Sequence, residues 1–300
     1  MKKVVWISLV LFMVSFVLFG SDSKKISAVL DSTGTHRTIR GITFVSIPGG
    51  TFQMGDEKGD LWKDCRPVHT VTVSSFEMSE TEITNAQYCE YLNAALKTGD
   101  ITADSSSVYI AKGSHFWEKY LLLSTSFDSN IRCWITFSNN VFSVVSGHEN
   151  WPVVYVTWIG AKAFADYYGC DLPREAEWEY ACRGGKQYLY GTDDGTISKD
   201  KANYNWGSDY IAHPVDVKSY PKNPFGLYDM SGNLWELCSD FYGSYSSLPA
   251  TDPTGPESSE THIVRGGNWS YYESICRSAN RSRNIPEFAN VTIGFRVVRR

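Results

Sequence analysis

The closing stretch "IVRGGNWSYYESICRSANRSRNIPEFANVTIGFRVV" (263–298) reads like an active-site segment with a single reactive group left in it, the thiol of Cys276. One thiol cannot by itself make a two-thiolate metal site, and a lone cysteine in such a segment is expected to be a packed core thiol. What the stretch offers instead is Tyr, Ser, Asn and Arg, the side chains of adaptable binding surfaces, where Tyr supplies area at little entropy cost and Ser and Asn supply hydrogen bonds. A second set of candidate groups, Glu175, Glu177 and Glu179 in "LPREAEWEYACRGG", cannot all face an apolar core. They are expected to be solvated acids of a capped surface helix rather than general acids or bases. The seven cysteines lie far apart without a CxxC pair, and the six histidines are dispersed, so metal-knuckle spacing is absent. An odd number leaves at least one thiol unpaired; whether the others pair is open.

The elements that must position these groups follow from periodicity. "ITFVSIPGGTFQMG" and "HTVTVSSFEMS" alternate as strands. "TNAQYCEYLNAAL" predicts an amphipathic helix capped by Thr84. Residues 97–150 are polar and Ser-rich, an insertion with a hairpin turning at Ser138-Asn139-Asn140. "WPVVYVTWIGAKAFADYYG" predicts a buried strand, an N-cap at Thr157, a helix and a stop at Gly169. From Lys186 onward Gly, Asn and Asp predict little regular structure.

The chain has 300 residues, 42% hydrophobic and 20% charged, with net charge −5 and its Lys and Arg scattered, so nucleic acid is not an expected partner. "MKKVVWISLVLFMVSFVLFGSDSKK" has the layout of a secretory signal peptide over 1–20, with an uncleaved anchor as the alternative and the one expected membrane contact. The expected localisation is export: periplasm, cell surface or medium. Residues 21–38 read as a leader and 39–300 as one domain.

Four blocks in order carry a family resemblance: "GGTFQMG…VSSFEMSETEITNAQY", "WPVVYVTWIGAKAFADYYG…LPREAEWEYACRGG", "NPFGLYDMSGNLWEL" and "RGGNW…CRSANRSR…IGFRVV". Together they resemble the formylglycine-generating-enzyme (sulfatase-modifying factor) superfamily from Phe44 to Val298. The resemblance implies an α+β, C-type-lectin-like fold with two main helices, short twisted sheets and much irregular structure. Members that oxidise cysteine to formylglycine use two copper-binding cysteines shortly after the Gly pair. Here that region holds Cys276 alone, so no copper and no enzymatic activity are expected. The resemblance also implies structural Ca²⁺ on side-chain oxygens of Asp229 and Glu236 and carbonyls of Gly232 and Leu234.

The closing stretch further resembles the variable proteins of diversity-generating retroelements, the treponemal variable protein among them. Their interchangeable positions exclude Lys, Glu, Gln, Met and Trp. The corresponding positions here are Ser270, Tyr271, Tyr272, Ser274, Ile275, Ser282, Arg283, Asn284, Ile285, Phe288 and Asn290, with Val291 and Thr292, and none carries an excluded type. The frame between them would be Arg265-Gly266-Gly267, Trp269, Cys276-Arg277, Ala279-Asn280-Arg281, Pro286 and Ile293-Gly294-Phe295-Arg296. The resulting expectation is an exported, non-catalytic binder of an unknown ligand, a protein or other cell-surface molecule, within segment 265–298. The alternatives are an oxidase of the superfamily or a structural envelope scaffold.

Overall fold

Helix α1 (Asn85–Thr98) begins where Thr84 accepts a hydrogen bond from Gln87 N while the Gln87 side chain accepts one from Thr84 N, and it ends at Gly99 with φ 71°. Helix α2 (Trp158–Tyr167) starts at Thr157, whose hydroxyl accepts from Gly160 N. Their buried faces meet through Tyr88 stacked on Phe164 at 5.5 Å, and Phe295 of the closing stretch sets its ring edge-on to both. The computed structural model describes residues 29–30, 36–104, 107–110, 133–208 and 210–300. The signal-peptide segment, most of the leader and the middle of the insertion lie outside them. Among the described residues no helix is long and apolar enough to cross a membrane.

A five-stranded antiparallel sheet runs in the order Val29–Leu30, His36–Ile39, Ile42–Ile47, Phe76–Ser79, Val298–Arg299. It therefore starts before Ile39, because His36–Ile39 pairs residue for residue with Ile42–Val45. A four-stranded sheet, in the order Arg281–Asn284, His262–Arg265, Trp235–Phe241, Ile293–Gly294, carries the closing stretch. A separate three-stranded sheet of Gly50–Met54, His69–Val73 and Ala250–Thr251 shares a core with it through Val71, Val73, Cys238 and Ile263. The hairpin in the insertion forms as predicted: Ile135–Ser138 pairs with Val141–Val144, and Asn139 and Asn140 turn with φ 51° and 59°. The strand predicted before α2 does not form. Val153, Val154 and Val156 are fully buried, but Tyr155 at φ 60° interrupts the extended backbone, leaving a single bridge from Pro152 to Thr84. All seven cysteines are free.

Helix α3 (Glu175–Cys182) departs most from expectation: every residue in it is buried, including the three glutamates. Each carboxylate is taken inside by a guanidinium from a distant segment. Arg281 holds both oxygens of Glu175 at 2.8 and 2.7 Å, Arg300 holds Glu177, and Glu179 is shared by Arg183 and Arg265. The glutamate spacing that resembles a solvated face is thus a set of internal counter-ions. Replacing Arg265 by Met leaves part of a buried charge uncompensated and should cost about 3–5 kcal/mol in urea unfolding. A loss below about 1 kcal/mol would show that these pairs do not hold the segment.

Candidate functional site

The closing stretch enters the interior along the His262–Arg265 strand, where Arg265 is fully buried against Glu179. The next two residues bend it with φ 98° at Gly266 and 71° at Gly267. A Cβ on Gly267 would lie 2.7 Å from Cys276 Sγ, and one on Gly266 would lie 3.2 Å from the Trp178 ring, so glycine is required for this close approach as well as for the angles. Trp269, Cys276, Arg277, Ala279, Asn280 and Arg281 then point inward, as do Ile293, Gly294, Phe295 and Arg296.

About half of the residues between these anchors face outward. Tyr272 is 66% exposed, and Tyr271, Ile285 and Phe288 are each nearly half exposed. Ser274 and Arg283 are exposed, while Ser270, Ile275, Ser282, Asn290, Val291 and Thr292 are half-buried. Asn284 departs from the expected recognition set: it is buried, and its Nδ2 donates to Phe288 O at 2.8 Å, closing the 284–288 turn. It belongs with the frame. The sequence reading missed two supports of this face. Trp235 sets its ring against Tyr271 at 6.4 Å, and Asn205 N donates to Tyr271 O at 2.9 Å. Asn205 comes from the irregular Lys186–Leu234 region, where no periodic pattern marks a contact.

Beneath this face lies the one thiol of the block. Burial pushes the Cys276 thiol up to about 12, and it does the same to Cys182, whose Sγ is 3.3 Å from Ser278 Oγ. Both stay protonated at neutral pH. Two thiolates are what the resemblance implies for copper, and the closing stretch supplies one thiol; this segment by itself does not fit that site.

The residues expected to hold calcium sit deeper. Glu236 is fully buried, and Arg296 occupies both of its oxygens, Nη2 to Oε1 at 2.8 Å and Nε to Oε2 at 2.6 Å, with Trp178 Nε1 also 2.6 Å from Oε2. Asp229 Oδ2 accepts from Lys218 N at 3.0 Å, whereas Oδ1 is buried and accepts nothing. A further carboxylate, Glu82, sits in the same region, with its oxygens accepting from Asn233 Nδ2 at 2.7 Å and Leu234 N at 3.1 Å. Burial, reinforced by the charges of Asp229 and Glu236, holds Glu82 well above the usual carboxylate range, and burial raises Asp229 to about 6. Three carboxylates thus meet one guanidinium, so a proton or an added cation is needed there.

Compared with known proteins, residues 31–300 match the model of the sulfatase-modifying factor enzyme 1-like domain. The chain belongs to that family. The Formylglycine-generating enzyme of Streptomyces coelicolor is 33% identical over 84% of this chain and 87% of that protein. The Serine/threonine-protein kinase pkn1 of Chlamydia pneumoniae is 35% identical, but the match covers 37% of that protein. Among solved structures, Treponema denticola variable protein 1 superposes with a TM-score of 0.61 at 21% identity, covering 86% of this chain and 95% of that one, which establishes the shared fold. The expectation that this protein is not an enzyme is overturned by these relatives: several at 28–33% identity bear the name formylglycine-generating enzyme.

The division into frame and face has a direct consequence. Replacing Tyr271 and Tyr272 together by Ala should change the unfolding free energy by less than about 1 kcal/mol, whereas Trp269→Ala should cost about 3–5 kcal/mol, both read by urea melts. Equal losses would mean that the two tyrosines are packing residues.

Proposed function

We propose that this protein is an enzyme of the formylglycine-generating type that takes a polypeptide on the exposed aromatic face of its closing stretch and processes it at a cysteine. The observation that carries the recognition half is the alternation along 265–298, in which anchors are buried and Tyr271, Tyr272, Ile285 and Phe288 are presented to solvent. Exposed aromatic and aliphatic side chains with intervening Ser and Arg suit a polypeptide better than a small polar ligand. The processing half is supported by the name and the 33% identity of the Streptomyces coelicolor relative. Cys276 is the thiol nearest the face in sequence; no step is routed through copper, since this segment does not complete a two-thiolate site. An exported location and interchangeable residues at the exposed positions are part of the same proposal. Both are open to sequencing the mature N-terminus and the locus across one lineage.

The test is incubation of the full protein with a cysteine-containing peptide in air and a thiol reductant, with and without added Cu(I). Aldehyde formation is followed by mass spectrometry and peptide capture by fluorescence polarisation. Conversion and capture should both occur, with capture lost in the Tyr271→Ala, Tyr272→Ala variant and conversion lost in Cys276→Ser. Capture without conversion would overturn the processing half, and absence of both would overturn the whole.

We also propose that Ca²⁺ satisfies the acidic region, held by the free Asp229 oxygen and the carbonyls of Gly232 and Leu234, with Glu236 shared between the ion and Arg296. The orphaned, buried Asp229 Oδ1 is the supporting observation. Added Ca²⁺ should raise the melting temperature of the wild type but not of Asp229→Asn. An unchanged wild-type melting temperature would contradict the assignment.

A further inference from the structure

A cavity of about 420 Å³ opens between the start of α3, the end of the Trp235–Phe241 strand and residues 243–256. None of the exposed residues of the closing stretch lines it; Arg281 is the one residue of 263–298 that does. Its volume lies within the range of small-molecule sites. Met54, Phe241, Leu248, Ala250, Pro253 and Pro256 give it an apolar lining.

The charged groups in its wall differ in what they have left to offer. Glu175 is neutralised by Arg281 and accepts from Tyr245 OH at 3.1 Å. Arg281 is fully engaged in turn, by Glu175 and the carbonyls of Asp64 and Gly243. His69 lies with Nδ1 3.1 Å from Pro67 O and its ring against Tyr245. His262, whose Nδ1 lies 3.3 Å from Asp240 O, is kept neutral by burial, and Glu177 adds only negative charge, so Asp240 has no cation. It is 4% exposed, its Oδ2 accepts from Glu175 N at 2.9 Å and Ser239 Oγ at 3.2 Å, and no hydrogen bond ends on Oδ1. Such a carboxylate is poorly stabilised as an anion: burial, then the Glu175 charge, pushes it up to about 7. Because a single free carboxylate oxygen is offered in this wall, a metal ion is a poor match. With Arg281 occupied, an anion is worse.

We propose that this cavity binds a primary alkylammonium group, with Asp240 Oδ1 as counter-ion and the apolar wall around the alkyl chain. A free amine and the lysine side chain of a polypeptide share this chemistry. Binding couples to ionisation of Asp240. The acid form persists up to its raised pKa, so amine affinity falls as pH drops through that range.

The test titrates the full protein with n-butylamine, n-butanol and Nα-acetyl-lysine methylamide by calorimetry. Butylamine should saturate one site, butanol should bind about tenfold more weakly or not at all, and amine affinity should drop about tenfold from about pH 8 to about pH 5.5. Asp240→Asn keeps an acceptor for Glu175 N and Ser239, so it should fold with an unchanged or higher melting temperature while losing both the amine preference and the pH dependence. An undiminished pH dependence in that variant would overturn the assignment. Tighter binding of the lysine derivative than of butylamine identifies a lysine side chain as occupant; weaker binding identifies a free amine. Equal binding of butanol and butylamine, no saturation by either amine, or unchanged amine binding in Asp240→Asn overturns the proposal.

Discussion

Four guanidinium groups of the closing stretch, Arg265, Arg277, Arg281 and Arg296, lie inside the protein, each against a carboxylate elsewhere in the chain: Glu179, Asp56, Glu175 and Glu236. The net stabilisation from such pairs is small, because desolvation offsets much of the attraction; their effect lies in what happens when one partner is misplaced. A one-residue slip of the Arg281–Asn284 or Ile293–Gly294 strand would carry a guanidinium away from its carboxylate and leave both charges buried and unpaired. Exposed pairs such as Lys218–Glu80 impose no comparable constraint.

With the stretch fixed by these pairs, by Trp269 and Phe295, and by the glycine bend against Cys276, the exposed residues between need not contribute to packing, whereas Ile275 and Val291 still rest on the core. This is the physical basis for a face that can vary. Side chains at Tyr272 or Phe288 can change without opening a cavity, whereas a change at Arg265 or Gly267 disturbs α3 or the Cys276 contact. The same network shapes the cavity beside Asp240, since the Arg281–Glu175 pair forms part of its wall and leaves Asp240 as the unmatched charge.

Much of this was legible in local patterns. Thr84 and Thr157 announced their helices by capping chemistry, Ser138-Asn139-Asn140 announced a hairpin, and the four ordered blocks announced the family. What was hidden depends on contacts across the chain. Glu175, Glu177 and Glu179 carry the signature of a solvated helix, and only arginines about a hundred residues away turn them inward. Asn284 resembles its exposed neighbours, yet a hydrogen bond to Phe288 O makes it structural. Glu82 lies two residues from Glu80 with nothing in its spacing to separate the two, yet Glu80 pairs with Lys218 while Glu82 is buried against Asn233. The absence of a second thiol in the last block pointed away from catalysis, and similarity over most of the chain to named enzymes outweighs that single departure.

The central claim is that residues 263–298 divide into an internally paired frame and an interchangeable face. Its most direct test is saturation mutagenesis of this segment, sorting displayed variants by protease resistance. The account predicts broad tolerance at Ser270, Tyr271, Tyr272, Ser274, Arg283, Ile285 and Phe288, and near-complete intolerance at Arg265, Gly267, Trp269, Arg281, Asn284 and Arg296. Tolerance spread evenly along the segment, or tolerance of apolar residues at all three arginines, would contradict it.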